Sequence, residues 1–318
     1  MNIDNSNLVI TGSAVLVLNT VSNKTTAGNM WFNPTLGKIQ FVFGSGGGAW
    51  STGGAMIVCR YSLAGAGTQN AGLAFGGYYI PATLACTEEY NGTSWSTGGA
   101  LINARSSLGG TGTQNAGLAF NGSPGPVGTC TEEYNGTSWS TGGALSTNRS
   151  SLGSAGTQNA GLAFGGDPTT ANTEEYNGST WVAGGALITG RKFLAGAGTQ
   201  NAALAFGGSY GGYSSCTEEY NGVSWSAGGA LINSREKLTG AGAQNAGLAF
   251  GGYGSPFGVA SCTEEYNGSA WSTGGAMIDG RYISAGAGTQ ASGLAFGGYP
   301  TYCSTEEYNG ISICTVPE

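Results

Sequence analysis

The sequence predicts an all-β fold, a six-bladed β-propeller with a composite closing blade, preceded by a short N-terminal β-rich attachment segment. Three observations carry the prediction. The tetrapeptide Thr-Glu-Glu-Tyr begins at Thr87, Thr131, Thr173, Thr217, Thr263 and Thr305, in steps of 44, 42, 44, 46 and 42 residues. That period suits one four-stranded propeller blade and is too long for a leucine-rich or ankyrin unit. Glycine supplies 62 of the 318 residues, a density that would cost a helix interior about 1 kcal/mol per position. Aromatic residues make up 10 % of the chain and recur in register, as they would not in a low-complexity linker.

Each element of a unit has its own signal. In unit one the small-residue run 63–67 reads as strand a, and a turn at Gln69-Asn70 leads to strand b, residues 71–75, ending in Gly76-Gly77. A variable loop precedes strand c, Thr87-Glu88-Glu89-Tyr90, and the hairpin signal Asn91-Gly92 turns it into strand d from Trp95. Alanine and glycine in strand a fit the crowded centre of a ring. Phe75, Tyr90 and Trp95 fit the wider gaps between blades, and Trp50, Trp139, Trp181, Trp225 and Trp271 recur at the same place.

A glycine pair, a spacer, a tyrosine, a tryptophan and an upstream arginine together resemble the kelch repeat. Here they are Gly76, Gly77, Tyr90, Trp95 and Arg60, with equivalents in every later unit over residues 50–313. Asn121 replaces the first glycine in unit two, and Ile313 replaces tryptophan in unit six. Unit six therefore lacks its strand d, while residues 50–56, Trp-Ser-Thr-Gly-Gly-Ala-Met, form a surplus one ahead of the first strand a. Pairing the two would spare the ring its exposed edges. Residues 38–44 also resemble a strand c and compete with 305–308 for that place in the closing blade. The expected domains are residues 1–45, for attachment, and 46–318, the propeller.

Of the 17 acidic residues, 12 lie in the Glu-Glu pairs, and six of the ten basic residues are Arg60, Arg105, Arg149, Arg191, Arg235 and Arg281, one per unit. A ring of carboxylates could hold a metal or serve acid–base chemistry. Strand alternation, however, sends the two glutamates of a pair to opposite faces, so they cannot enter one site. A buried bridge from Glu88 or Glu89 to the repeat arginine is the expected structural role. Cys86, Cys130, Cys216 and Cys262 each precede Thr-Glu-Glu-Tyr and read as small buried thiols, too far apart for bonding between blades. Cys59 and Cys314, near the closure, are left open as a disulfide pair. Asn91-Gly92-Thr93 matches a glycosylation sequon but reads as a turn, since the turn persists at Asn221-Gly222-Val223.

Consecutive antiparallel strands put the b–c and d–a connections on one face. The b–c loops hold all the variation, with 9, 8, 6, 8, 10 and 6 residues in units one to six. Fixed scaffold with variable loops on one face is the pattern of a binding surface. The loop aromatics are Tyr78 and Tyr79 in unit one, Tyr210 and Tyr213 in unit four, Tyr253 and Phe257 in unit five, and Tyr299 and Tyr302 in unit six. Those units are contiguous in a ring, so the rings form an arc and are the candidate ligand-binding residues. The bland alternative is that they only cover the blade tops. Tyrosine suits sugar or protein surfaces.

Kelch-like propellers include galactose oxidase, whose copper needs imidazole ligands; this chain has no histidine. No nucleophile elbow, Ser/His pair or phosphate loop is present, so neither catalysis nor a cofactor or metal is expected. A net charge of −7 without basic clusters argues against nucleic acid as a partner. No apolar run reaches the length of a membrane span, and the polar start of the chain does not resemble an export signal.

Residues 25–41, Thr-Thr-Ala-Gly-Asn-Met-Trp-Phe-Asn-Pro-Thr-Leu-Gly-Lys-Ile-Gln-Phe, resemble a segment familiar from bacteriophage tail fibre and virion appendage proteins. That resemblance implies a virion structural protein (fibre, tail-associated or capsid-decorating) assembled in the host cytoplasm. Residues 1–45 would bind other virion proteins, and the loop face would meet host-surface glycan or protein; a homo-oligomer on the virion is a further expectation. The alternatives are a bacterial surface or secreted kelch-like lectin or adhesin, and an intracellular scaffold.

Overall fold

The structure, a computed structural model, describes residues 30–33, 38–42, 48–124, 128–256, 258–310 and 313–315. The chain forms two compact units. One contains an antiparallel sheet in which Lys38–Val42 pairs with Met30–Asn33 on one edge and Ile313–Thr315 on the other. The other, Gly47–Gly310, is all-β among its described residues and is built from six four-stranded antiparallel sheets like the blades of a propeller.

In unit one the sheet runs in chain order: Ala64–Thr68, Ala71–Phe75, Thr87–Tyr90, Trp95–Gly98. Asn91 Oδ1 accepts the backbone N–H of Thr93 and Ser94, so the asparagine side chain is consumed by its own hairpin. Strand b is buried on both faces, with Leu73, Ala74 and Phe75 wholly inaccessible, as expected for a sheet stacked between two others. The left-handed φ of +58° at Asn121 explains why asparagine can stand for the first glycine there.

The sixth sheet is composite. Thr305–Asn309 pairs with Ser292–Phe296 on one side and with Ala49–Thr52, from the other end of the chain, on the other. Lys38–Val42 is thus not its third strand, nor Ile313–Thr315 its fourth; both belong to the smaller sheet. Trp50 takes the place that the repeat reserves for tryptophan, packing against Phe250 and Tyr308 at ring-centroid distances of 5.1 and 5.0 Å.

Neighbouring units meet in one recurring way. Each strand a lies against the next, and Ala285–Gly288 lies against Ala64–Thr68. Just before strand a, one residue per unit takes a left-handed conformation: Ser62, Ser107, Ser151, Phe193, Lys237 and Ile283. Each donates its backbone N–H to the carbonyl of its counterpart in the preceding unit, at 2.7–2.9 Å, and Ser62 donates to Ile283, so the circuit of six bonds has no end. The strands a that follow line a cavity of about 250 Å3.

Three side chains then reach from each unit to the one before. The tryptophan indole N–H donates to the strand c threonine, as in Trp139 to Thr87 and Trp95 to Thr305, at 2.9 Å. The tyrosine hydroxyl donates to the second glutamate, as in Tyr134 to Glu89 at 2.7 Å and Tyr90 to Glu307 at 2.6 Å. Gln114 Nε2 donates to the carbonyls of Gly72 and Tyr90, and Gln69 does the same to Gly293 and Tyr308. Gln69 and its equivalents are therefore ties between units rather than simple turn residues. Close approach also fixes the glycine pair after strand d: a Cβ at Gly99 would lie 2.1 Å from the Thr137 carbonyl oxygen of the next unit.

Deleting residues 1–58 removes the fourth strand of the sixth sheet. We expect loss of the monomer peak and aggregation in size-exclusion chromatography; a soluble monomer of unchanged stability would refute closure by Ala49–Thr52.

Candidate functional site

The carboxylate ring belongs to the scaffold. The first glutamate of each pair is buried and paired with the arginine of its own unit: Arg60–Glu88 at 2.5 Å, Arg105–Glu132 and Arg149–Glu174 at 3.0 Å, and likewise Arg191–Glu218, Arg235–Glu264 and Arg281–Glu306. Glu88 also accepts the backbone N–H of Ile57 and Val58, which fixes the d–a connection. The second glutamate faces the opposite side and accepts the tyrosine hydroxyl of the next unit. Among the described residues no group of three or more acidic or cysteine side chains could hold a metal.

Burial pulls the Arg105, Arg149 and Arg281 guanidinium groups down, against the opposing pull of the paired glutamate. The Nε of every repeat arginine is buried without a hydrogen-bond partner. Burial, and then the hydrogen bond to glutamate, push Tyr90, Tyr134, Tyr176, Tyr220 and Tyr266 up to about 12, and Tyr308 in the same direction.

The cysteines depart from expectation. Cys59 is bonded to Cys303, not Cys314, with Cα atoms 4.3 Å apart. Cys303 lies one residue earlier in its unit than the other cysteines, which brings it to the d–a connection that carries Cys59. Cys86, Cys130, Cys216 and Cys262 are free but only half-buried, because they end the b–c loops near the surface.

The loop face is where the structure gathers unassigned chemistry. Tyr61 bridges to Tyr78 as a backbone pair, and the equivalent pair Tyr282–Tyr299 sits in unit six. The rings form an unbroken series: Tyr213–Tyr253 at 6.0 Å, Tyr253–Tyr282 at 5.6 Å, Tyr282–Tyr299 at 5.3 Å and Tyr299–Tyr302 at 5.5 Å. It continues through Tyr302–Tyr61 and Tyr302–Tyr79 to Tyr61–Tyr78. Tyr79, Tyr213, Tyr253 and Tyr299 stay exposed, while Tyr78 and Tyr302 are half-buried. Tyr210 is 55 % exposed in the loop of Tyr213, too open to be covering the sheet beneath it. Phe257 lies outside the described residues.

Tyr61 and Tyr282 follow the repeat arginines, outside the variable loops, so loop variation does not point to them. The available signal was that Ser106 and Ser150 occupy the same place in the units without loop aromatics. Burial and neighbouring phenols raise Tyr61 and Tyr282, so both remain neutral hydrogen-bond donors. At the edge of the arc, Lys237 lies 4.9 Å from the Phe193 ring centre and 5.8 Å from that of Tyr282. A shallow depression of about 120 Å3, lined by Ser62, Ser107, Ser151, Phe193, Lys237 and Ile283 among others, opens beside it. The face thus offers stacked phenol rings, hydroxyl donors and a few ion-paired charges.

Compared with models of protein families and with curated proteins, the chain matches none.

Replacing Arg149 by alanine leaves Glu174 buried without its cation; we expect about 3–5 kcal/mol lost in denaturant unfolding, and a loss below about 0.5 kcal/mol would deny the buried bridge. The tyrosine–glutamate bonds predict an alkaline limit. A phenol held near 12 when folded and at its ordinary value of 10 when unfolded contributes stability that is complete below pH 10 and disappears as pH rises towards 12. Ultraviolet titration of tyrosinate should therefore show a late class that ionises together with loss of the fold; a single transition at 10 with the fold intact would contradict this.

Proposed function

We propose that the six sheets are the blades of one closed, kelch-like six-bladed β-propeller, and that the chain is a bacteriophage virion protein which presents its tyrosine-lined face for recognition. Closure is supported by the endless circuit of backbone hydrogen bonds and by the composite sixth sheet. The single observation behind recognition is the continuous series of exposed or half-exposed tyrosines on one face, confined to units four, five, six and one. Stacked phenols with outward hydroxyls suit a host-surface glycan, or a neighbouring virion protein. Attachment through residues 1–45, and the virion assignment itself, rest on the resemblance of residues 25–41 to phage appendage proteins. The chemistry proposed is binding, without catalysis or cofactor.

A second reading, a bacterial surface or secreted lectin, is favoured by the Cys59–Cys303 disulfide, since such bonds persist in oxidising surroundings. Tail or capsid genes beside its own favour the first reading, and a sorting or secretion locus favours the second.

Replacing Tyr210, Tyr213 and Tyr253 together by serine should abolish binding of the labelled protein to intact bacterial cells and leave Tm nearly unchanged, because none of the three lies in the buried core. Unimpaired binding by the triple variant, with residues 1–45 still needed for incorporation into particles, would reduce the propeller to a spacer.

A further inference from the structure

Five of the six sheets have an unbroken chain running from the end of the b–c loop, down strand c and up strand d, to the residue before the next arginine. Ala85 is joined in this way to Ala104, and Ser261 to Gly280, 19 residues later in each case. In the sixth sheet strand d comes from the opposite end of the chain, so this covalent path does not exist. The equivalent residues there are Cys303 and Cys59, separated by 244 residues and joined by a disulfide. The surrounding backbone is the same: Met56 N–H donates to the Cys303 carbonyl at 2.9 Å, as Leu101 does to Ala85 at 2.8 Å.

The bond also sits under the tyrosine arc. Tyr302 precedes Cys303, and Tyr61 lies two residues after Cys59; their rings are 5.9 Å apart, and Arg60 N–H donates to the Tyr302 carbonyl at 3.0 Å. Tyr302 is held at φ +35°, a conformation that bulky residues rarely adopt unless their surroundings enforce it.

We propose that the Cys59–Cys303 disulfide is an oxidation-dependent latch which stands in for the missing chain connection and holds the centre of the tyrosine face in its recognition geometry. The proposal rests on reading that face as the recognition surface. Closing the latch takes two steps. One cysteine thiolate attacks a low-molecular-weight disulfide such as oxidised glutathione, releasing one small thiol. The other cysteine then attacks the mixed disulfide and releases the second. Two protons and two electrons leave the protein, and the small disulfide is reduced to two thiols. In a thiol-rich cytoplasm the exchange runs backwards, so the latch is open where the chain is made and closes outside the cell. Cys86 and Cys262 do not compete, because burial pushes their thiols up and leaves little thiolate.

The test uses the full-length protein treated with oxidised glutathione or with dithiothreitol. Maleimide labelling and mass measurement should find five reactive thiols under denaturing conditions after oxidation and all seven after reduction. Amide hydrogen exchange over residues 57–62 and 298–304 should accelerate at least about ten-fold on reduction, while residues 153–164 of unit three stay unchanged. C59S and C303S should exchange like the reduced protein under both conditions, and C86S like the unmodified chain. Seven labelled thiols after oxidation, or equal exchange at the seam in both states, would overturn the proposal. Neither readout needs a ligand, so the latch stands or falls separately from the recognition reading, which the tyrosine triple variant tests.

Discussion

The repeat arginine is the constraint on which the rest of the large unit depends, because its side chain and its backbone serve different sheets. The Arg105 guanidinium is buried in unit two, against Glu132 and the Cys130 carbonyl. Its backbone belongs to unit one, where its N–H donates to Leu84 and its carbonyl accepts from Gly77, the residue that opens the variable loop. Arg60 does the same across the seam, with its side chain in unit one and its backbone bonded to Tyr302 and Gly298 of unit six. Each buried cation thus sets where a b–c loop starts and ends. Such a pair need not add net stability over apolar packing, and the unpartnered Nε in every unit is a desolvation cost. Its contribution is position: it fixes the b–c loops to the sheets beneath them.

The contacts between units are directional in the same sense. Gln, Tyr and Trp of one unit all send donors to acceptors of the unit before, and only identical units can repeat this without a mismatch. The pair of glutamates follows from it, one facing inward to its own arginine and the other outward to the next tyrosine. That division explains why the strand c tetrapeptide hardly tolerates change while the loop beside it varies freely. It also explains why so few charges remain for a site. With the arginines and glutamates engaged in the scaffold, tyrosine rings are the main chemistry left on the variable face.

Those rings concentrate where the chain begins and ends its circuit. The sixth sheet has no covalent path from its strand c to its strand d, and the seam there carries the disulfide, the left-handed Tyr302 and a dense group of phenols. The lone lysine pair of the large unit, Lys192 and Lys237, flanks Phe193 at the far edge of the arc.

By itself the sequence determined the strands of the repeat and their order. The period, the Asn-Gly turns and the alternation of Thr-Glu-Glu-Tyr were enough for the strands and for the opposite facing of the two glutamates, which depend on local geometry copied six times, and a strand missing at one end and surplus at the other was enough for the composite sixth sheet. Tertiary structure alone decided which residues meet across units. Residues 38–42 and 305–309 look alike as strands, and only competition for partners put the latter in the sixth sheet. Gln69 looks like a turn residue until its neighbour's carbonyls come within reach. Cys59 finds Cys303 rather than Cys314, and Tyr61 and Tyr282 join the arc, because contacts between the first and last units are distances in space that spacing along the chain does not encode.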